Sequence, residues 1–240
     1  MMLPNPAISV GQCVVRYPET APVFEEFGID YCFRGARSVE CACRENQIDS
    51  EYLLRRLEQQ IESVDPNRRS RWSDATLAEL CDTLEWEHEQ IIHILLPEIL
   101  AEAEDMSVED GLKHADWMLL EQLLVALQTS LESHFRQEES ELFPAIREVE
   151  YSCSAPGQRC VSAGELCRTF QDEHSHIGAQ VQNIQKSTSA LDPVAMDYPK
   201  CRSLLDAINQ LHRVLHQHLH KENNILFPRA VRMEMCTGSL

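Results

Sequence analysis

His218 and Glu222 stand four residues apart in the stretch His218-Leu219-His220-Lys221-Glu222-Asn223-Asn224-Ile225-Leu226-Phe227-Pro228. On a helix that spacing puts both side chains on one face, about 6 Å apart along the axis. A neutral imidazole and a carboxylate so placed can grip one metal ion. His134 and Glu138 repeat the device, and Leu142-Phe143-Pro144 follows Glu138 at the offset at which Leu226-Phe227-Pro228 follows Glu222. A duplicated pattern of His, Glu and Leu-Phe-Pro points to two halves of one metal site.

Four long helical patterns must position these residues. The first runs over about 74–103, with Pro97 expected to bend it, and carries Leu77, Cys81, Leu84, His88, Ile91 and Leu95 on one stripe. The second, about 112–148, carries Leu120, Leu124, Leu127, Leu131, His134 and Glu138. The third carries Leu166, Phe170, His174, Ile177, Val181 and Ile184; the fourth, about 201–231, carries Leu204, Leu211, Leu215, His218, Glu222 and Ile225. Each stripe is apolar except for one histidine, joined on two helices by a glutamate. The fold class that follows is all-α, an up-down-up-down four-helix bundle. His88 and His134 are 46 residues apart and His174 and His218 are 44 apart, so the bundle reads as two helical hairpins related by an approximate two-fold.

A lone histidine on an apolar face is usually a satisfied core residue. Four of them with two glutamates at matched depth are better explained as ligands, because buried unpaired carboxylates are costly and metal ions remove that cost. The nitrogen and oxygen donors suit iron or manganese better than a thiolate zinc site. Two glutamates reaching inward from different helices can bridge two metals. A ferritin-type site would want Glu-x-x-His on two helices, whereas only Glu85-x-x-His88 occurs, with Glu85 off the stripe. His212, His216 and His220 form their own stripe on the far side of the fourth helix and read as a solvated or rim face. His93, His114 and His176 also fall off the inner stripes, with His93 a candidate extra ligand.

The chain ahead of the bundle reads as a small helical unit. A helix is expected over 16–27 with Gly28 as its stop, then a turn at 30–35, a second helix from near Ser38, and a third capped by Asp49 or Ser50. The polar run Asp65-Pro66-Asn67-Arg68-Arg69-Ser70-Arg71 reads as a linker, dividing the chain into a 1–65 unit and a 72–240 bundle. The 240 residues carry a net charge of -18, which argues against nucleic-acid binding and accords with cation binding. No run approaches a membrane span, and the first residues lack a signal-peptide pattern, so the expected location is the cytoplasm, with the ten cysteines mostly reduced. Cys41 and Cys43 are too close for Cys-x2-Cys zinc spacing. Cys32 could equally be a small buried hydrophobe.

Several of these residues together resemble a known family. Ser133-His134-x3-Glu138-Glu139-x-x-Leu142-Phe143-Pro144, Glu173-His174 and His218-x3-Glu222-Asn223-Asn224-Ile225-Leu226-Phe227-Pro228-Arg229-Ala230 are similar to the haemerythrin-like domain of the di-iron iron–sulfur cluster repair (Ric) proteins. Asp30-Tyr31-Cys32 and Ala42-Cys43 resemble motifs of that family's short leading domain. The resemblance implies a non-haem di-iron centre, oxo- and carboxylate-bridged, with four histidines and two bridging glutamates; His134, Glu138, His174, His218 and Glu222 carry over directly. It implies repair of iron–sulfur clusters damaged by nitrosative or oxidative stress, by iron donation, with damaged iron–sulfur proteins as partners. Two other readings stand beside it: reduction of nitric oxide or peroxide at the metal pair, and reversible binding or sensing of dioxygen or nitric oxide. The chain departs from the family in two places. Phe33 and Arg34 stand where the leading motif has a second cysteine and a glycine, which leaves Cys32 and Cys43 for any thiol chemistry. The family register also puts the first-helix ligand at Glu89, whereas periodicity puts it at His88.

Overall fold

The computed structural model describes residues 5–64, 72, 74–108, 114–154, 162–191 and 199–237. The expected linker at 65–71 lies outside them. Every regular element among the described residues is a helix, and an isolated antiparallel bridge joins Ser9 to Ser38.

The N-terminal unit begins with α1 (Val10–Arg16), capped by the Ser9 hydroxyl, which accepts from the Gln12 amide. A 3-10 turn at Pro18–Thr20 and α2 (Ala21–Glu26) follow. The single helix expected over 16–27 is thus divided. Pro18 excludes Tyr17 from the helical region, and Tyr17 sits at φ -135°, ψ 77°. Gly28, at φ 64°, ends α2 as expected. α3 (Val39–Glu45) is capped by Ser38, and α4 (Ser50–Ser63) by Asp49, whose carboxylate accepts from the Glu51 and Tyr52 amides. Val10, Cys13, Phe24, Val39, Leu53 and Ile61 close a core that belongs to this unit.

The first long helix consists of α5 (Leu77–Gln90), a π-turn at Ile91–Leu95 and α6 (Leu96–Val108). The second is α7 (His114–Gln137), a π-turn at Glu138–Leu142 and α8 (Phe143–Ser154). The third, α9 (Ala163–Ser189), is unbroken. The fourth is α10 (Pro199–Lys221), a π-turn at Glu222–Leu226 and α11 (Phe227–Thr237). The three π-turns share one cause. Pro97, Pro144 and Pro228 each lack the N–H that an α-helix needs, and each ring would strike the carbonyl four residues back. One extra residue in the turn lets the helix pass, and the amides of Leu96, Phe143 and Phe227 reach back five residues to Ile91, Glu138 and Glu222. Pro97 therefore marks a π-turn rather than a simple bend.

The long helices pack in a ring: α6 lies on α7 and α10, α7 on α9, α9 on α10 and α11, and α5 and α11 on α8. This is the expected four-helix bundle. One apolar layer holds Leu96, Ile99, Leu120, Leu127, Leu204 and Leu211, and the other Leu77, Leu84, Ile146, Val149, Phe170 and Ala230. The histidine and glutamate layer lies between the two.

The N-terminal unit seats its 30–35 turn on the bundle. Cys32 joins the bundle's own core, with Phe33 beside it. The contact at α9 is close enough that a Cβ on Gly178 would lie 2.8 Å from the Phe33 ring. Asn224 Nδ2 donates to the carbonyls of Tyr31 and Cys32, both at 3.2 Å. His216 Nε2 lies 3.3 Å from Asp30 Oδ1, and the Tyr31 ring packs on His216 and His220. His216 and His220 are therefore buried, not a solvated face, and His212 is half-buried and stacked on His216. The periodicity of one helix carries no information about a second unit covering its back. No helix among the described residues is long and apolar enough to cross a membrane.

Candidate metal centre

His88, His134, Glu138, His174, His218 and Glu222 meet in the middle layer, all of them buried. Glu138 takes the central position. Its Oε1 lies 3.2 Å from His134 Nε2 and 3.3 Å from His174 Nε2, while its Oε2 lies 3.4 Å from His88 Nε2. Glu222 also reaches both sides, with Oε2 3.4 Å from His174 Nε2 and Oε1 3.6 Å from His218 Nε2. The rings fall into two pairs, His88 with His218 at 4.9 Å between centroids and His134 with His174 at 4.8 Å. Two ligand groups result: His88, His218, Glu138 and Glu222; and His134, His174 and Glu138.

The opposite edge of each imidazole is also held. His88 Nδ1 meets Glu139 Oε1 at 2.8 Å, and His134 Nδ1 meets Glu173 Oε2 at 2.8 Å. His174 Nδ1 meets Asn223 Oδ1 at 2.8 Å, and His218 Nδ1 meets Glu87 Oε2 at 2.9 Å. With Nδ1–H donated outward, every Nε2 lone pair faces the centre, the tautomer a metal ligand needs. Aromatic rings hold the imidazole planes: Phe135 and Phe143 stack on His88, and Phe227 stacks on His174. The phenylalanines of the two Leu-Phe-Pro segments thus brace histidines on neighbouring helices.

The inward atoms test whether metal fits. His88 Nε2, His134 Nε2, His218 Nε2, Glu138 Oε2 and both Glu222 oxygens are buried without a hydrogen-bond partner. Unsatisfied buried polar atoms are expensive, and here they converge. Electrostatics divides the two carboxyls. Burial pushes Glu138 upward, but the neighbouring His134 overrides it and holds the group well below the usual carboxylate range. Burial and then the charge of Glu138 push Glu222 well above that range. Burial drives His218 down to about 4, while Glu138 and Glu173 raise His134 against its own burial. Cations between the carboxyls would satisfy the orphaned nitrogen and oxygen atoms and offset the repulsion that opposes ionising both groups.

The other candidates lie elsewhere. Glu89 is 67 % exposed on the outside of α5 and pairs with the equally exposed His93 at 3.5 Å. His176 is exposed, and the His114 side chain lies outside the described residues. Glu85 binds Arg147 at 2.8 Å. Cys32 and Cys43 are both free and buried, but in different cores, Cys32 in the bundle's and Cys43 in the N-terminal unit's. Burial pushes both thiols up, Cys32 well above the ordinary thiol value. Sequence reasoning missed Glu87, Glu139, Glu173 and Asn223 as partners of the histidines. Their signal was adjacency: each is the chain neighbour of a residue of the central cluster and contacts a cluster histidine on another helix.

Comparison with known proteins agrees with this geometry. Residues 7–61 match a domain of unknown function (DUF542), and residues 166–237 match the haemerythrin HHE cation-binding domain. An iron–sulfur cluster repair protein YtfE of Dickeya chrysanthemi is 28 % identical over 94 % of this chain and 97 % of its own length. The chain is 26 % identical to a probable iron–sulfur cluster repair protein of Haemophilus influenzae, covering 92 % of this chain and 96 % of that one. It is also 26 % identical to YtfE of Escherichia coli, covering 94 % and 97 %.

Proposed function

We propose that the chain, similar over nearly its whole length to iron–sulfur cluster repair proteins and matching the haemerythrin HHE cation-binding domain over 166–237, holds two non-haem irons and donates iron to clusters damaged by nitrosative or oxidative stress. The observation that carries this reading is the convergence of orphaned, buried Nε2 and carboxylate atoms from three helices, joined by His174 Nε2 of the fourth, which lies 3.3 Å from Glu138. In this reading His88 and His218 would hold one ion and His134 and His174 the other, with Glu138 and Glu222 placed to serve both. A bound iron pair supplies two adjacent redox-active Lewis acids with exchangeable coordination.

The chain's own groups account for the rest. Glu87, Glu139, Glu173 and Asn223 fix the imidazole tautomers and orientations. The phenylalanines exclude water from the layer. Burial and the charge of Glu138 push Glu222 well above its ordinary value, which favours its protonated form, so loading with cations should displace protons. The N-terminal unit, which we place at residues 1–65 ahead of a 72–240 bundle, has its own core and lays its 30–35 turn beside the fourth helix at the centre's edge. The eight cysteines whose side chains are described are free, and we place the protein in the cytoplasm with iron–sulfur proteins as its clients.

The test is transfer. Iron-loaded protein is mixed with a purified apo-cluster protein, sulfide and reductant, under a chelator that captures free iron. Cluster formation, followed by visible absorbance, should exceed that from the same amount of free iron. Equal rates from both sources would refute iron donation.

A further inference from the structure

The approximate two-fold that relates the two hairpins exchanges the two metal positions. His88 corresponds to His174 and His134 to His218. Their outer partners follow the same operation. Glu87 precedes His88 and holds His218, as Glu173 precedes His174 and holds His134. Glu139 follows Glu138 and holds His88; its counterpart, which follows Glu222 and holds His174, is Asn223. One pair therefore breaks the symmetry: a carboxylate stands behind His88 and a neutral amide behind His174.

That difference acts on the ligand itself. A carboxylate accepting from Nδ1–H raises the basicity of the imidazole and strengthens Nε2 as a donor, whereas an amide does so much less. The remaining pair is more nearly balanced. Glu87 is also claimed by Lys221, whose ammonium tempers its charge, and Glu173 is tempered by water to the same degree as Glu139, their side chains being 39 % and 41 % exposed. The imbalance thus falls on Asn223. Its other side faces the N-terminal unit, with Nδ2 3.7 Å from Cys32 Sγ. This orientation leaves Oδ1 as the acceptor for His174.

We propose that Asn223 makes the position between His134 and His174 the weaker of the two, so that the ion held there leaves first. This rests on the reading of a two-ion centre, and it identifies the ion available for transfer. Asn223 is a positioning residue and touches no ion itself.

The experiment uses the full chain loaded with iron(II), with iron per chain counted before an excess of ferrozine is added. Wild-type protein should release its iron in two phases of one ion each. Asn223→Asp supplies the missing carboxylate and should slow the fast phase by about 10–100-fold, the usual scale of such partners, with the slow phase unmoved. Glu139→Asn is the reciprocal change and should accelerate the slow phase towards the fast one; it keeps the test decisive should Asn223→Asp fail to fold. Anomalous-difference maps from half-depleted crystals should show iron retained between His88 and His218. Release in a single phase, a slow phase altered by Asn223→Asp, or iron retained between His134 and His174 overturns the proposal. Loading with fewer than two ions refutes the two-ion centre and this inference together. Two-phase release with the retained ion at His88 and His218, but without transfer to an apo-cluster protein, supports this inference while refuting iron donation.

Discussion

Glu138→Gln separates a metal bridge from a structural ion pair. Glu138 is the one residue common to both ligand groups, and its carboxyl contacts three imidazoles at 3.2–3.4 Å. Glutamine keeps the size and removes the anion, so both positions lose a ligand at once. Partners outside the coordination sphere cost about 10–100-fold in metal affinity, so a lost bridging ligand should cost about 100-fold or more. A protein stabilised by bound metal gains RT ln(1 + [L]/Kd), and a hundredfold loss removes about 2.7 kcal/mol of that gain. For a domain of this size the loss corresponds to about 5–11 °C of melting temperature. The assay is the difference in melting temperature with and without metal, measured for each protein. Taking this difference cancels the effect of the substitution on the metal-free fold, where Glu138 also pairs with His134. Iron per chain should fall from two to one or none. A variant that retains two irons and the full metal-dependent increment shows that Glu138 is not the bridge.

Two further outcomes follow from the geometry. His88→Ala should lose iron from the His88–His218 position, whereas Glu89→Gln, which changes only an exposed pair with His93, should keep both irons and its charge-transfer bands; the opposite result would restore the family register at Glu89. Metal binding near pH 7 should release protons. Glu222 is raised well above its ordinary value and His134 is raised as well, which favours the protonated forms that compete with a cation, whereas His218, pushed down to about 4, offers a neutral ring. Affinity should therefore climb as pH rises past the raised values of Glu222 and His134. Calorimetry with zinc(II), a redox-silent probe, in buffers of different ionisation enthalpy checks this: Glu222→Gln should release fewer protons, and no net release by wild type would contradict the assignment.

Much of the bundle was legible because helix geometry is local. The stripes through His88, His134, His174 and His218 follow from about 100° of turn per residue, and they placed the ligand residues on inward faces without any knowledge of the neighbouring helices. The π-turns were partly legible. Proline at the same offset after Glu138 and Glu222 is their chemical cause, and the third helix has neither proline nor π-turn. The Tyr17–Pro18 break was equally visible in the residue types, though the expected helix ran through it.

What the sequence determined by itself was the content of each helix: its apolar face, its histidine, its glutamate, and the internal repeat that pairs two hairpins. Tertiary packing decided what those residues meet. That Glu139 serves His88 rather than its own helix, that Asn223 takes the place of a carboxylate behind His174, and that His216 and His220 lie under the N-terminal turn are all contacts between segments far apart in the chain. Packing also put Cys32 into the bundle's core and left Cys43 in another. A helix specifies directions around its own axis. Distances between axes, and therefore which outward-leaning side chain reaches which imidazole, are set only when the apolar layers on either side of the centre close.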